Sequence, residues 1–278
     1  MSIDKLYPFA GDHAIQSAVF VLEFGSELSP EELQKLEYCA KDLEKDFPDK
    51  RVMQSLAFNI ESNIKNSDSK VQAAQHYGGF TLLRPPAYPG AQPARQLQVN
   101  SANIVIVIAD YSRWTNKIKN DIERYWNVFF DSLENLGKPL NTIGVQYNDL
   151  FNWKADPSEL NISEVLRTDC PFVAPNVFKL PNGELWHSHH GYFVYPEYGV
   201  PGKQLNNVNV GLVHAEQTCS VQILTSQKFS FDRPIFKYKD SAGELHAILD
   251  RMHSENKSLL NSIVSVEVAR KIKLNEGG

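Results

Sequence analysis

The sequence predicts an α+β fold, mainly antiparallel sheet with long amphipathic helices packed on it. Apolar residues alternate through segments rich in Val, Ile and Phe, the period-two signature of half-buried strands. Two segments, Ile118–Leu136 and Leu245–Ile263, instead carry apolar residues three and four apart, which marks one buried helix face. The order of elements also repeats: strand, helix, a run of strands, then a long helix, in residues 1–140 and again in 141–278. The expectation is two similar units related by an approximate twofold and packed as one compact body, because short connections keep sequential elements adjacent.

In the first unit, Ala14–Phe24 (AIQSAVFVLEF) reads as a buried strand ended by Gly25 and Ser26. Ser29-Pro30-Glu31-Glu32 marks a helix start: Ser as N-cap, Pro in the first turn, Glu at the capping-box position. Leu33, Leu36, Ala40, Leu43 and Phe47 carry its stripe as far as Pro48. Val52, Leu56, Phe58 and Ile60 alternate as a strand, and the polar Ser62–Val71 reads as a loop. Gly79–Arg84, Gln96–Asn100 and Asn103–Ala109 are further strands, the last two joined by a hairpin turn. The four prolines of Pro85–Pro93 exclude that segment from any strand or helix interior. Trp114, Ile118, Ile122, Trp126, Phe129, Leu133 and Leu136 line the clearest helix, closed by Gly137 and Pro139.

The second unit opens with a strand at Thr142–Phe151 and a short helix within Pro157–Arg167. Cys170–Pro175 reads as an irregular crossing. Phe178–Leu180, Leu185–His190 and Tyr192–Tyr195 read as paired strands, with a turn at Pro181-Asn182-Gly183. Lys203–Asn209, with three asparagines, reads as a loop leading into two adjacent strands, Val208–Glu216 and Ser220–Phe231. The Leu245–Ile263 helix follows, then a short helix or tail over Val266–Leu274.

Composition excludes several functions. A hydrophobic content of 42% supports a real core, while the net charge of −5 opposes binding to a phosphate backbone. Residues 1–50 carry eleven acids against five lysines, and Lys117, Lys119 and Arg124 read as a solvated helix face. The opening Met-Ser-Ile-Asp-Lys contains no secretory apolar region, and the longest apolar run, Ile104–Ala109, is six residues, too short for a membrane span. Cys39, Cys170 and Cys219 are scattered, as suits free thiols in a reducing cytoplasm, the expected location.

Several short motifs carry a family resemblance over nearly the whole chain. They are Tyr7-Pro8; Ile15-Gln16-Ser17-Ala18-Val19-Phe20-Val21-Leu22-Glu23-Phe24; Tyr111–Trp114 ahead of the aromatic helix; Ile143-Gly144-Val145-Gln146-Tyr147-Asn148; and Leu249-Asp250-Arg251-Met252-His253. Together they resemble a bacterial family of uncharacterised proteins noted for its sporadic distribution. In that family the middle motif commonly carries Arg where this chain has Gln146. The resemblance implies a fold and transfers no activity or catalytic residue. Sporadic distribution implies genes that travel, as in accessory systems such as phage defence or toxin immunity.

No nucleophile elbow, H-E-x-x-H or P-loop is present, and Gly78-Gly79 lacks the lysine and helix that phosphate binding demands. Cys170 and Cys219 read as buried structural thiols, and Asp110 and Asp149 as caps or turn residues at strand ends. Trp186-His187-Ser188-His189-His190 is the one histidine cluster. On a strand, His187 and His189 share a face and, with His214 or Glu216, form an alternative metal set, with Glu184 and Glu197 nearby. The favoured expectation names no metal and no cofactor. It is a non-enzymatic interaction or sensor protein that recruits a protein partner encoded nearby. Tyr88, Trp153, Tyr195 and Tyr198 would be its aromatic anchors. The alternative is a small-molecule binder or hydrolase whose sheet-and-helix pocket is lined by Tyr147, His187, His189 and His214.

Overall fold

A computed structural model describes residues 2–61, 70–86, 88–215 and 218–274. Most of the predicted Ser62–Val71 loop and the candidate ligand Glu216 lie outside the described residues. In chain order the elements are β1 (Leu6–Pro8), β2 (Ile15–Phe24), α1 (Pro30–Cys39), β3 (Asp49–Glu61), β4 (Lys70–Arg84), β5 (Arg95–Val99), β6 (Asn103–Ile108) and α2 (Lys119–Asn135). There follow β7 (Leu140–Trp153), α3 (Ile162–Val165), β8 (Trp186–Val194), β9 (Gly202–Ala215), β10 (Thr218–Ile235), α4 (Ala242–Ile263) and α5 (Val266–Lys271).

The ten strands form one antiparallel sheet in the order β3-β4-β5-β6-β2-β7-β10-β9-β8, with β1 paired to the end of β7. The two halves of the chain therefore share a sheet, joined where β2 runs antiparallel to β7. In both halves the strands run from an outer edge inward, β3 to β6 and β8 to β10, and a helix follows the innermost one.

Alternation sets which face each side chain takes. Phe20, Leu97, Ile106 and Val145 lie in one row across the pleat and pack under α1 and α2. Val208, Val221, Phe151 and Trp153 pack with the end of α4 and with α5. Helices cover this face; the opposite face, which carries Val19, Gln146, Asn148 and Leu224, is only partly buried.

The local signals explain the ends of elements. Ser29 caps α1, accepting from the Glu32 backbone N–H at 3.3 Å, while the Glu32 carboxylate accepts from the Ser29 N–H at 2.7 Å. Leu43 and Phe47 stay in the core, but through a tight turn after Cys39 instead of a longer helix. Gly137 (φ +62°) closes α2, and a wide turn over Trp114–Ile118 opens it. The Gly78-Gly79 pair is a bulge in β4: Gly79 has φ +117°, and a Cβ there would sit 2.1 Å from the Val99 carbonyl oxygen.

Some expectations are corrected. Lys70 and Val71 belong to β4, not to a loop. Val177–Lys179 is a helical turn, closed by successive bonds from the Val177, Lys179 and Leu180 amides, so the Phe178–Leu180 strand does not form. The Leu185–His190 and Tyr192–Tyr195 strands are not paired with each other; they run on as β8, because Gly191 stays extended beside Asn207. Lys203–Asn209 is part of β9, paired with β10 throughout, and Gln204 donates to Asn206 two residues along the same strand.

The interior also holds an ion network. The Arg95 side chain is fully buried; its guanidinium bonds Asp110 at 2.8 Å, Asp121, and the Tyr125 hydroxyl at 2.9 Å. Asp46 bridges Arg84 at 2.8 Å and Arg124 at 2.6 Å, and Lys119 pairs with Asp250. Among the described residues, no helix is long and apolar enough to cross a membrane.

Candidate functional site

Four adjacent inward positions on β9 and β10, where an aliphatic core would be expected, are polar. Gln204, Asn206, Thr225 and Gln227 are all buried, and they face α4. The helix answers with Glu255 and Asn256, one turn beyond the His253 that packs in the aromatic core. Asn256 accepts from the Thr225 hydroxyl. Glu255 Oε2 accepts from Gln204 Nε2 at 3.0 Å and Gln227 Nε2 at 3.3 Å, and the Tyr198 hydroxyl lies 2.6 Å away. Burial and the Glu255 charge together raise the phenols of Tyr198 and Tyr192 above the usual tyrosine range.

A groove of about 420 Å³ opens over this patch between α4 and the end of β8. Its floor is Asn206 and Gln227, its walls are Glu255, Leu259 and Tyr192, and Tyr195 stands at its rim, 78% exposed. A shallower depression on the far side of Pro196 is lined by Tyr198, Asp250, Arg251 and Ser254 and shares Glu255.

The anchors expected from the sequence divide. Tyr88 and Tyr195 are exposed, but Trp153 and Tyr198 are buried. Trp153 packs in the core and donates from Nε1 to the Asp156 carbonyl at 2.9 Å, and Tyr198 lies under Arg251. These two are therefore corrected from surface anchors to interior residues.

The alternative pocket assembles only in part: His187 and His214 line one groove, without Tyr147 or His189. Tyr147 is wholly buried on the helix face, where its hydroxyl lies 2.9 Å from His253 Nδ1. His187 and His189 project from the opposite face, and His189 bonds Asn209. His214 returns to the helix side and donates to the Gly183 carbonyl at 2.9 Å. A strand's two faces cannot present ligands to one ion, so His187, His189 and His214 do not form a metal set. No group of three or more His, Cys, Asp or Glu side chains suited to a metal occurs among the described residues.

Other candidate groups take structural roles. Burial pushes the Cys170 and Cys219 thiols up, away from the thiolate a nucleophile needs. Asp110 is an Arg95 partner, not a cap. Asp149 lies within β7, not at its end; it is buried, neither carboxylate oxygen has a partner, and burial pushes its pKa up to about 7. It faces Ile15, beside a bulge in β2. The basic residues of α2 are neutralised: Lys119 by Asp250 and Glu123, Arg124 by Asp46 and Asp121.

The polar patch was signalled by Gln204, Asn206, Thr225 and Gln227 recurring at alternate positions within apolar runs. Reading Lys203–Asn209 as a loop hid that signal. No protein-family model matches the chain, and no curated protein matches it.

Proposed function

We propose that this chain is a non-enzymatic interaction protein that recognises another protein through the helix-free face and free edge of its sheet. The observation that carries this reading is the composition of the edge. On β8, Phe193 is 58% exposed on the open face, beside His187 and His189; Leu185, just before the strand, is 61% exposed. Val213 and Leu224 continue the apolar surface inward, around a groove of about 540 Å³ over Gly211. The outer side of β8 pairs with no strand among the described residues. Exposed apolar side chains along an unpaired edge are a liability in a free protein and a template for a partner's extended segment. The occupant is thus an extended stretch of a partner chain, adding to β8 with apolar side chains over Phe193 and Leu185.

The motif resemblance supports membership of the sporadically distributed bacterial family, with a partner encoded nearby in a travelling accessory system such as phage defence. Three free cysteines support a reducing cytoplasm. The inward order of strands in both halves supports reading 1–140 and 141–278 as copies of one unit in a single body.

The test is native mass spectrometry of the protein purified from its own host, alongside Phe193→Asp. A stoichiometric protein partner held by the parent and lost from a folded variant supports the reading. A parent that arrives alone, or a partner retained by both proteins, overturns it.

A further inference from the structure

The polar patch under α4 leaves the buried acceptor Gln227 Oε1 without a donor, and we infer that the groove above it binds a small primary amine as its ammonium ion. Glu255 is half-buried, and its three protein contacts, from Tyr198, Gln204 and Gln227, all fall on Oε2. All three are neutral groups. No lysine, arginine or histidine forms an ion pair with it among the described residues, and Arg251 is engaged by the Glu197 carbonyl.

The donors present do not suffice. The Tyr198 hydroxyl has Glu255 Oε2 and Gln204 Oε1 both at 2.6 Å, yet it has one proton to give. Reversing the Gln204 amide feeds the hydroxyl but sets a carbonyl oxygen against the carboxylate, so either orientation leaves the patch a donor short. Gln227 Oε1 is buried with no partner, and Gln227 lines the groove. A buried acceptor without a donor is destabilising, a cost that a ligand with several N–H groups relieves.

The walls select the kind of cation. Tyr192 and Tyr195 line the groove with aromatic side chains and Leu259 with an apolar one, which suits an alkylammonium. A hard metal ion wants six or more oxygen ligands, and a single carboxylate with aromatic and aliphatic walls does not supply them. The groove lies on the helix side of the sheet, opposite the face assigned to the partner, so this inference stands apart from that reading.

The experiment titrates n-butylammonium chloride into the full chain and follows the side-chain amide resonances of Gln204, Gln227 and Asn206. n-Butanol serves as the neutral control and calcium chloride as the metal control. Saturable shifts with butylammonium alone, weakened about tenfold or more in Glu255→Gln, are expected. Tyr195→Ala, at an exposed rim, should weaken binding several-fold and carries the test where Glu255→Gln fails to fold. An equal response to butanol, a response to calcium instead, no saturation, or unchanged affinity in the folded variants overturns the inference. A lysine side chain of a bound protein offers the same chemistry, so Nα-acetyl-lysine methylamide is titrated in parallel. Binding tenfold tighter than butylammonium identifies a protein lysine as the source; equal or weaker binding identifies a free amine.

Discussion

The Tyr147 hydroxyl and His253 Nδ1 meet at 2.9 Å across the packing between β7 and α4, with both side chains buried. Trp114 stacks on the imidazole with ring centroids 4.3 Å apart and donates from its indole N–H to Asp250, one helical turn away. Two polar bonds, at His253 and Asp250, thus help to fix the position of α4 over the aromatic core. Burial pushes His253 down to about 4, so the ring is neutral and the bond is a neutral pair at physiological pH.

Tyr147→Phe leaves the His253 nitrogen without its partner while keeping the ring volume. The expected loss is about 1–2 kcal/mol, read as a lower urea midpoint at pH 7 with an unchanged slope. An unchanged midpoint would show that the bond contributes nothing net.

Asp149 makes stability depend on pH in an unusual direction. Its folded pKa, about 7, exceeds the ordinary 3.8, so the fold binds this proton more tightly than the unfolded chain does. The contribution is full below the unfolded value and is lost as pH rises through about 7, amounting to about 4 kcal/mol across that window. His253 acts oppositely: its folded pKa is lowered from 6.5, so its contribution is present above that value and lost as pH falls through about 4. Asp149→Asn should therefore melt higher than the parent at pH 8.5, by roughly 5 °C or more, with the advantage shrinking by pH 5.5. Parallel melting curves at both pH values would refute this.

Arg95, itself fully buried, holds two part-buried acidic residues, Asp110 just after β6 and Asp121 in α2. Arg95→Met preserves length but leaves Asp110 and Asp121 facing each other with only Arg84 and Arg124 beyond them, at 3.7 and 3.6 Å. A cost of about 3 kcal/mol is expected in equilibrium unfolding, and restoring neutrality with Asp121→Asn should recover part of it.

Gly79→Ala should be costlier than its size suggests. The added methyl would strike the Val99 carbonyl, and the backbone there is left-handed. A loss of about 3 kcal/mol or more is expected by thermal unfolding, whereas Gly243→Ala, with open space around its Cβ and no left-handed backbone, should cost far less.

How legible these features were depended on whether the physics was local. The Ser29 cap, the α2 stripe and the β5–β6 hairpin are written within a few residues, where side-chain pattern and turn chemistry agree. The segments misread were polar ones whose place the sheet decides: Asn206 accepts from Gln204 on its own strand, but it is held in β9 by its pairing with Gln227 of β10, which no local window contains. Trp153 and Tyr198 have the composition of exposed loop anchors, but their polar atoms find partners at the Asp156 carbonyl and at Glu255, which makes burial affordable. His187, His189 and His214 were grouped by proximity in sequence, although the strand pairing separates them by face. The orphaned Asp149 carboxylate left no signal beyond an acidic residue in an apolar strand.

The β2–β7 seam sets the tempo at which this protein can come into being. β2 is made early on the ribosome, yet Ile15 must wait for Asp149, and Leu22 for both Ile104 and Ile143, before either edge of the strand is closed. Until β7 emerges, the nascent chain displays a half-finished apolar strand, and the pairings of β2 with β6 and with β7 both close long loops. Such non-local pairing makes for slow folding and prolonged exposure to misassociation, so refolding from urea belongs in the millisecond-to-second range and yield should fall as concentration rises.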